Sequence, residues 1–173
     1  RMPAAPLSDR VEEAFSKNGP LAVAFDGYEP RPGQQQLAAE VARTFTAGGT
    51  LVAEAGTGTG KTLAYLVPAV LAGKRVLIST GTRQLQDQLY HRDLPAICGA
   101  LGRPVRVALL KGRANYLCRH RLDLAEQQAH ARGLRREVAV ALPKVRAWSH
   151  LTRRGDVAEL PGLGEGDPVL AWV

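Results

Sequence analysis

Residues 50–62 read Thr50-Leu51-Val52-Ala53-Glu54-Ala55-Gly56-Thr57-Gly58-Thr59-Gly60-Lys61-Thr62. A short apolar run of strand character enters a glycine-rich turn that closes on Gly-Lys-Thr, and a helical pattern follows. That order is the signature of a phosphate-binding loop. Gly56, Gly58 and Gly60 let the backbone curl so that successive N–H groups face phosphate oxygens. Lys61 supplies a point charge for β- and γ-phosphates, and the Thr62 hydroxyl can take one coordination site of Mg²⁺. Ala55 stands where the longer form of the pattern opens on glycine. The expected ligand is a nucleoside triphosphate, with Ala55, Gly56, Thr57, Gly58, Thr59, Gly60, Lys61 and Thr62 around its phosphates. Lys61 and Thr62 are the catalytic candidates.

Outward from the loop, strands and helices alternate. Upstream, Ser8–Asn18 reads as a short amphipathic helix capped by Ser8 or Asp9 and ended by Gly19-Pro20, and a linker leads to a helix over about 33–46. Downstream, the helix after the loop places Leu63, Leu66, Val67, Val70 and Leu71 on its inner side, with a bend expected at Pro68. Residues 75–79 and 105–110 are further strand candidates, and 82–90 returns to helix. This alternation predicts an α/β fold with a parallel sheet. From Ala114 to about Leu151 the period is helical, with a break expected at Leu142-Pro143. Residues 155–168 hold four glycines and two prolines and read as a loop.

The chain has 173 residues, 45% of them hydrophobic, enough for one domain with a buried core and room for an appendage. No apolar run approaches membrane-spanning length and the N-terminus lacks a signal-peptide build, so no membrane partner and a cytoplasmic setting are expected. Two cysteines, Cys98 and Cys118, make no disulfide framework. The formal charge of +7 is uneven. Between Lys111 and Arg136, seven Lys/Arg face only Asp123 and Glu126, whereas residues 155–173 carry four acids and no Lys or Arg. A basic segment suits a polyanion such as nucleic acid, but charge alone serves a solvated helix face equally well.

Three further segments carry chemistry. Arg31-Pro32-Gly33-Gln34 opens a helix about twenty residues before the loop, and a carboxamide matches the donor–acceptor edge of adenine. Thr80-Gly81-Thr82 ends a strand with hydroxyls at a helix start, which suits either a nucleic-acid phosphate or a plain N-cap. Cys118 opens the most basic stretch, where a metal-cluster thiolate and a small apolar side chain are both open readings. Cys98 reads as packing.

In this order the segments resemble the N-terminal motor region of the DinG/XPD-like DNA helicases of superfamily 2, and within them the bacterial DinG/YoaA branch. The likeness runs from about Tyr28 to Leu122. Arg31-Pro32-Gly33-Gln34 looks like the family's adenine-reading motif, which makes Arg31 and Gln34 cofactor-binding candidates. Glu54 to Thr62 matches its motif I. Ile78 to Thr82 with Leu85 to Leu89 looks like motif Ia, implying single-stranded DNA or overhangs at Thr80, Gly81, Thr82 and Gln86. Lys111 to Cys118 is similar to the approach to the family's iron–sulfur domain, implying that Cys118 is the first ligand of a 4Fe–4S cluster.

The resemblance implies an incomplete RecA-like P-loop NTPase lobe over 28–112, after an N-terminal helix and linker at 1–27. The mostly helical start of an iron–sulfur insertion would follow over 113–173. It also implies ATP hydrolysis coupled to 5′-to-3′ single-strand translocation in DNA repair or replication. It does not identify a protein partner. Departures accompany it: no cysteine follows Cys118, no apolar strand ends in Asp-Glu, and no second lobe with an arginine finger is present. The chain is therefore expected to be an N-terminal fragment that binds nucleotide and hydrolyses little. Alternatives from other classes are a non-catalytic nucleic-acid- or nucleotide-binding domain and a different P-loop NTPase such as a small kinase.

Overall fold

The fold was described from a computed structural model, and the description covers residues 5–132, 135–164 and 166–173. Two compact units divide between Leu109 and Leu110.

The first unit is organised by helices. Helix α1 (Leu7–Ala14) follows Pro6 with no side-chain cap, in place of the expected Ser8 or Asp9 cap. The Ser8 hydroxyl turns instead to the Asp9 carboxylate at 2.9 Å. The helix also stops at Ala14 rather than Asn18, and Gly19-Pro20 does not open a linker. Pro20 occupies the first position of helix α2 (Pro20–Ala24), where its missing N–H costs nothing. Helix α3 (Pro32–Ala47) starts on a proline in the same way and ends at Gly48 in a left-handed conformation. Helix α4 (Lys61–Ala72) runs through Pro68. Helix α5 (Arg83–Gln88) passes into one π-helical turn at Leu89–Asp93 and then into α6 (Leu94–Ala100), which the sequence pattern did not announce.

The core of this unit joins Val11, Phe15, Leu21, Leu66, Val67 and Ile97, all essentially without solvent contact. Helix α3 lies against α4, with Ala38, Ala42 and Ala64 buried. Small side chains let two helix backbones approach closely. The carbonyl of Leu71, near the end of α4, accepts from the Arg10 guanidinium at 3.0 Å and from Arg103 at 3.3 Å, cations placed where a helix C-terminus favours them. Tyr28 Oη and Gln35 Nε2 both donate to the Phe15 carbonyl, at 3.2 and 3.1 Å, and pin the stretch leading into α3.

The three expected strands, at 50–54, 75–79 and 105–110, carry no strand pairing among the described residues. Val52 is 91% exposed, Leu77 94% and Leu110 81%. A helix satisfies its backbone groups internally, whereas a strand forms a ladder only beside a neighbour. Among the described residues no helix is long and apolar enough to cross a membrane.

The second unit is a helical pair, α7 (Arg119–Arg132) and α8 (Arg136–Ser149), closed by the C-terminal segment. The expected helix from Ala114 is replaced at its start. Tyr116 forms an antiparallel bridge with Asp156, and Leu117 N–H donates to the Gly155 carbonyl at 2.8 Å, so these residues pair with the tail. The break expected at Leu142-Pro143 is absent, and α8 continues through Pro143. Val138, Ala141, Leu142, Val145 and Trp148 are buried on both sides of that proline, while Pro143 and Ala139, four residues back, face solvent. Packing on one face outweighs the lost hydrogen bond on the other. The acidic tail is not bare loop. Asp156 and Asp167 cap short 3-10 turns by accepting from Ala158 N–H at 3.1 Å and Val169 N–H at 3.0 Å. Leu160, Val169 and Val173 join the core beside Leu122.

Two ion-pair clusters hold this unit, in different surroundings. Lys111 Nζ meets Asp156 Oδ2 at 2.9 Å with side chains only 7% and 11% exposed. Arg146 of α8 reaches Glu126 at 2.6 Å and also pairs with Asp123, which hold its guanidinium still more firmly protonated, but it lies at the surface. Removing one partner of a buried pair strands the other charge, at a cost of about 3–5 kcal/mol, whereas surface pairs contribute little. Asp156→Ala is expected to lower the denaturant midpoint of this unit strongly and Arg146→Ala only slightly. Both tryptophans, Trp148 and Trp172, belong to this unit, so tryptophan fluorescence reads it alone. Equal midpoints for the two variants would show that the Lys111–Asp156 pair does not close the unit.

Candidate functional site

The site is built where the 50–54 run meets α4. Residues Thr57 to Thr59 turn, and Gly58 and Gly60 sit at φ +76° and +79°, a region that side chains with a Cβ rarely enter. Gly60 is also the cap residue of α4, and its carbonyl accepts the Ala64 N–H at 3.3 Å. Thr59 Oγ1 closes the turn on the Gly56 carbonyl at 2.9 Å. Lys61, the first residue of α4, folds its ammonium over the loop, donating to the carbonyls of Ala55 and Gly56, the latter at 2.8 Å. One loop thus gathers a lysine ammonium and the free N–H groups of a helix start, a combination suited to binding an anion.

Arg31 is the extended residue just before α3, and Gln34 lies in the first turn of that helix. The structure aims both at the loop. Arg31 Nη1 donates to the Gly58 carbonyl at 2.6 Å, and Gln34 Nε2 donates to the Gly60 carbonyl at 2.9 Å. Gln34 is only 5% exposed. Beside them a cavity of about 400 Å³ lies between α3, the 51–54 run and the loop, lined among others by Leu37, Glu40, Leu51, Glu54 and Lys61.

The Thr62 hydroxyl lies beside the Tyr65 phenol. Burial pushes the Tyr65 phenol up, the Thr62 contact opposes this, and the nearby Asp93 carboxylate adds to it. Thr62 shares a second cavity, of about 340 Å³, with Gln88, Arg92 and Asp93. Asp93 accepts from Gln88 Nε2 and from Arg92 Nε, each at 2.9 Å. No sequence pattern pointed to this cluster, because Gln88 and Asp93 are five apart and meet across the π-helical turn. A Mg²⁺ site of the kind that keeps several waters and phosphate oxygens needs only one or two protein oxygens, and the Thr62 hydroxyl fits that demand.

The other candidates belong to other elements. Thr82 caps α5, its hydroxyl accepting from Leu85 N–H at 3.2 Å, while Thr80 Oγ1 donates to the Thr82 carbonyl at 3.1 Å. Gly81 is exposed and Gln86 half-buried. Cys98 packs half-buried in α6 against the first unit's core, and burial pushes its thiol up. Cys118 is exposed at the start of α7, its carbonyl accepting from Leu122 N–H at 2.9 Å. A four-iron cluster takes four thiolates, and Cys118 is the only cysteine of the second unit, so the residues present do not hold one by themselves.

Comparison with known proteins gives this geometry a family. The chain is 46% identical to the ATP-dependent DNA helicase YoaA of Haemophilus influenzae and 49% identical to that of Escherichia coli. Each alignment covers 94% of this chain and 25% of the relative. It is 39% identical to the ATP-dependent helicase DinG of Mycobacterium tuberculosis over 92% of this chain and 27% of that protein. The chain thus spans about a quarter of the length of the curated relatives it matches. No solved structure matches it. Residues 31–132, more than half of the chain, match the DEAD/DEAH box helicase family, whose domain implies a RecA-like fold. Loop, lysine and the α3 motif all fall inside that span, and the chain belongs to the DEAD/DEAH box helicase family.

Proposed function

We propose that this chain is the nucleotide-binding part of an ATP-dependent DNA helicase. The observation that carries the reading is the loop itself. Two left-handed glycines bring Lys61 to the head of α4, with its ammonium over the loop carbonyls. ATP binds with its phosphates along Ala55–Thr62. Lys61 exchanges the Ala55 and Gly56 carbonyls for β- and γ-phosphate oxygens and neutralises charge that grows as the terminal phosphoryl group leaves. Thr62 would hold Mg²⁺ through its hydroxyl, and the ion would supply positive charge to offset that of the phosphates. Hydrolysis drives movement along single-stranded DNA, in the 5′-to-3′ direction and in the cytoplasm, in the service of repair or replication. Thr80, Gly81, Thr82 and Gln86 take the DNA backbone.

In the whole protein the runs at 50–54, 75–79 and 105–110 become parallel strands of the RecA-like sheet. Residues 28–112 are the first part of that lobe, and 113–173 begin an iron–sulfur insertion whose first thiolate is Cys118. Support for the DNA and strand assignments comes from the family match and from the names of the relatives.

Hydrolysis by the 173 residues alone is expected to be slight. The chain has no apolar strand ending in Asp-Glu, and an arginine finger alone is worth a factor of about 10³ to 10⁵. Titration with ATP and Mg²⁺ is expected to show binding that weakens at least about tenfold in Lys61→Ala, the loss of a charge-assisted contact. Turnover by this chain, stimulated by single-stranded DNA and abolished in Lys61→Ala, would contradict the expected inactivity. DNA binding without any ATP binding would favour a non-catalytic nucleic-acid module. For the insertion, Cys118→Ser in the full-length protein is expected to lower bound iron and acid-labile sulfide together. Unchanged iron content in that variant would remove Cys118 from the cluster.

A further inference from the structure

We propose that Tyr65 and Asp93 are positioning residues for Thr62, a phenol and a carboxylate that turn a lone pair of the threonine hydroxyl toward the triphosphate and its cation. The proposal rests on the reading of residues 55–62 as the triphosphate site and of Thr62 as its metal-binding hydroxyl. It brings to that site two side chains that no sequence pattern marked.

The arrangement begins with helix spacing. Thr62 and Tyr65 lie three apart at the start of α4, which sets both side chains on one face of the helix. The Thr62 hydroxyl lies beside the Tyr65 phenol, and the Asp93 carboxylate is near enough for its charge to act on that phenol. The same carboxylate shares with Thr62 the cavity of about 340 Å³, whose apolar walls include Phe25, Leu63 and Ile97. Asp93 ends the π-helical turn just before α6, so the cluster joins α4 to a second element. Its carboxylate is fixed in place. Gln88 Nε2 donates to Oδ2 and Arg92 Nε to Oδ1, each at 2.9 Å. At 15% exposure the Asp93 side chain is largely shielded from water, so it orients a neighbouring O–H with little competition from solvent.

The direction of hydrogen bonding follows from what each group can give. A hydroxyl has one proton and two lone pairs, whereas an ionised carboxylate only accepts. A hydroxyl that holds a cation must point its proton away from the ion. With Asp93 taking the Tyr65 proton, the phenol oxygen is left to accept from Thr62, and the Thr62 lone pairs are free for a cation. Gln88 and Arg92 fill two of the roughly four acceptor positions of the carboxylate, which leaves room for the phenol. Without the phenol oxygen the Thr62 proton has no fixed direction. Outer partners of this kind set the orientation of a metal-binding group, and losing one costs about 10- to 100-fold in metal affinity.

The test titrates the 173-residue chain with ATP, once with Mg²⁺ and once in EDTA. Wild type is compared with Tyr65→Phe, which removes one oxygen and keeps the ring, and with Asp93→Asn, which keeps the size and removes the charge. Circular dichroism of each variant checks that it folds as the wild type does. The gain in ATP affinity that Mg²⁺ confers is expected to fall about tenfold in each variant. ATP affinity in EDTA stays at the wild-type value, whereas a merely structural defect would lower it too. Equal weakening with and without Mg²⁺, or an unchanged gain in either variant, would overturn the positioning role. If the wild type binds ATP equally well in Mg²⁺ and in EDTA, Thr62 holds no cation and the proposal falls, while the reading of the loop stands. Absence of ATP binding under both conditions would sink the loop reading and the proposal together.

Discussion

The close contact between α3 and α4 is the constraint on which the first unit depends. Ala38 and Ala42 of one helix and Ala64 of the other are all buried in the same core. Helix α4 begins with the loop lysine, and α3 begins with the Arg31–Gln34 turn. Packing the two helices side by side therefore brings both N-terminal ends to the same place. Placing a Leu at Ala38 or Ala64 would push the helices apart and withdraw Gln34 from Gly60. The loop takes its position from a core contact one to two helical turns away, through side chains that themselves have no chemistry.

The loop, its lysine and helices α3 and α4 could be read from the sequence because each depends on neighbours in the chain. Gly-Thr-Gly-Lys-Thr imposes its own turn, and the 3.6-residue period of α3 and α4 marks their buried faces. Arg31 and Gln34 were legible as a pair too, from their place about twenty residues ahead of the loop. Their hydrogen-bond partners were not, because a donor on a helix face does not reveal whether it meets a base or a backbone carbonyl. Helix α2 was hidden by Gly19-Pro20, which serves as a helix start as readily as a stop. At Pro143 the local preference for a break lost to the buried face running from Val138 to Trp148. Strand candidates fared differently from helices for a physical reason: Val52, Leu77 and Leu110 have the right character, but a ladder is a property of pairs.

The second unit uses charge in two ways that composition alone merges. Its basic excess between Lys111 and Arg136 reads as a single patch in the sequence, yet Lys111 is not on the surface. It is buried against Asp156, and Asp156 also caps the turn at Ala158 and bridges Tyr116. The acidic tail is therefore partly the counter-charge of the basic segment, folded back onto it. Arg146, bound to Glu126 and Asp123, is likewise committed within the unit. Arg113 and Arg136 are among the cations that remain exposed, and any polyanion would meet a weaker field than the sequence count implies.

A glycine-rich loop has a built-in contradiction. The left-handed positions at 58 and 60 demand residues without a Cβ, and those residues lose the most backbone freedom on becoming fixed. Internal contacts recover part of that cost: Thr59 closes on Gly56, and the Lys61 ammonium rests on two loop carbonyls. The lysine contacts compete with phosphate for the same ammonium, so they order the loop only until an anion displaces them. The contacts from α3 do not compete, because they use carbonyls on the side away from the outward amides. An ordered loop that can still surrender its lysine needs both kinds of contact. Which of these contacts compete with an anion follows from which side of each peptide plane is occupied.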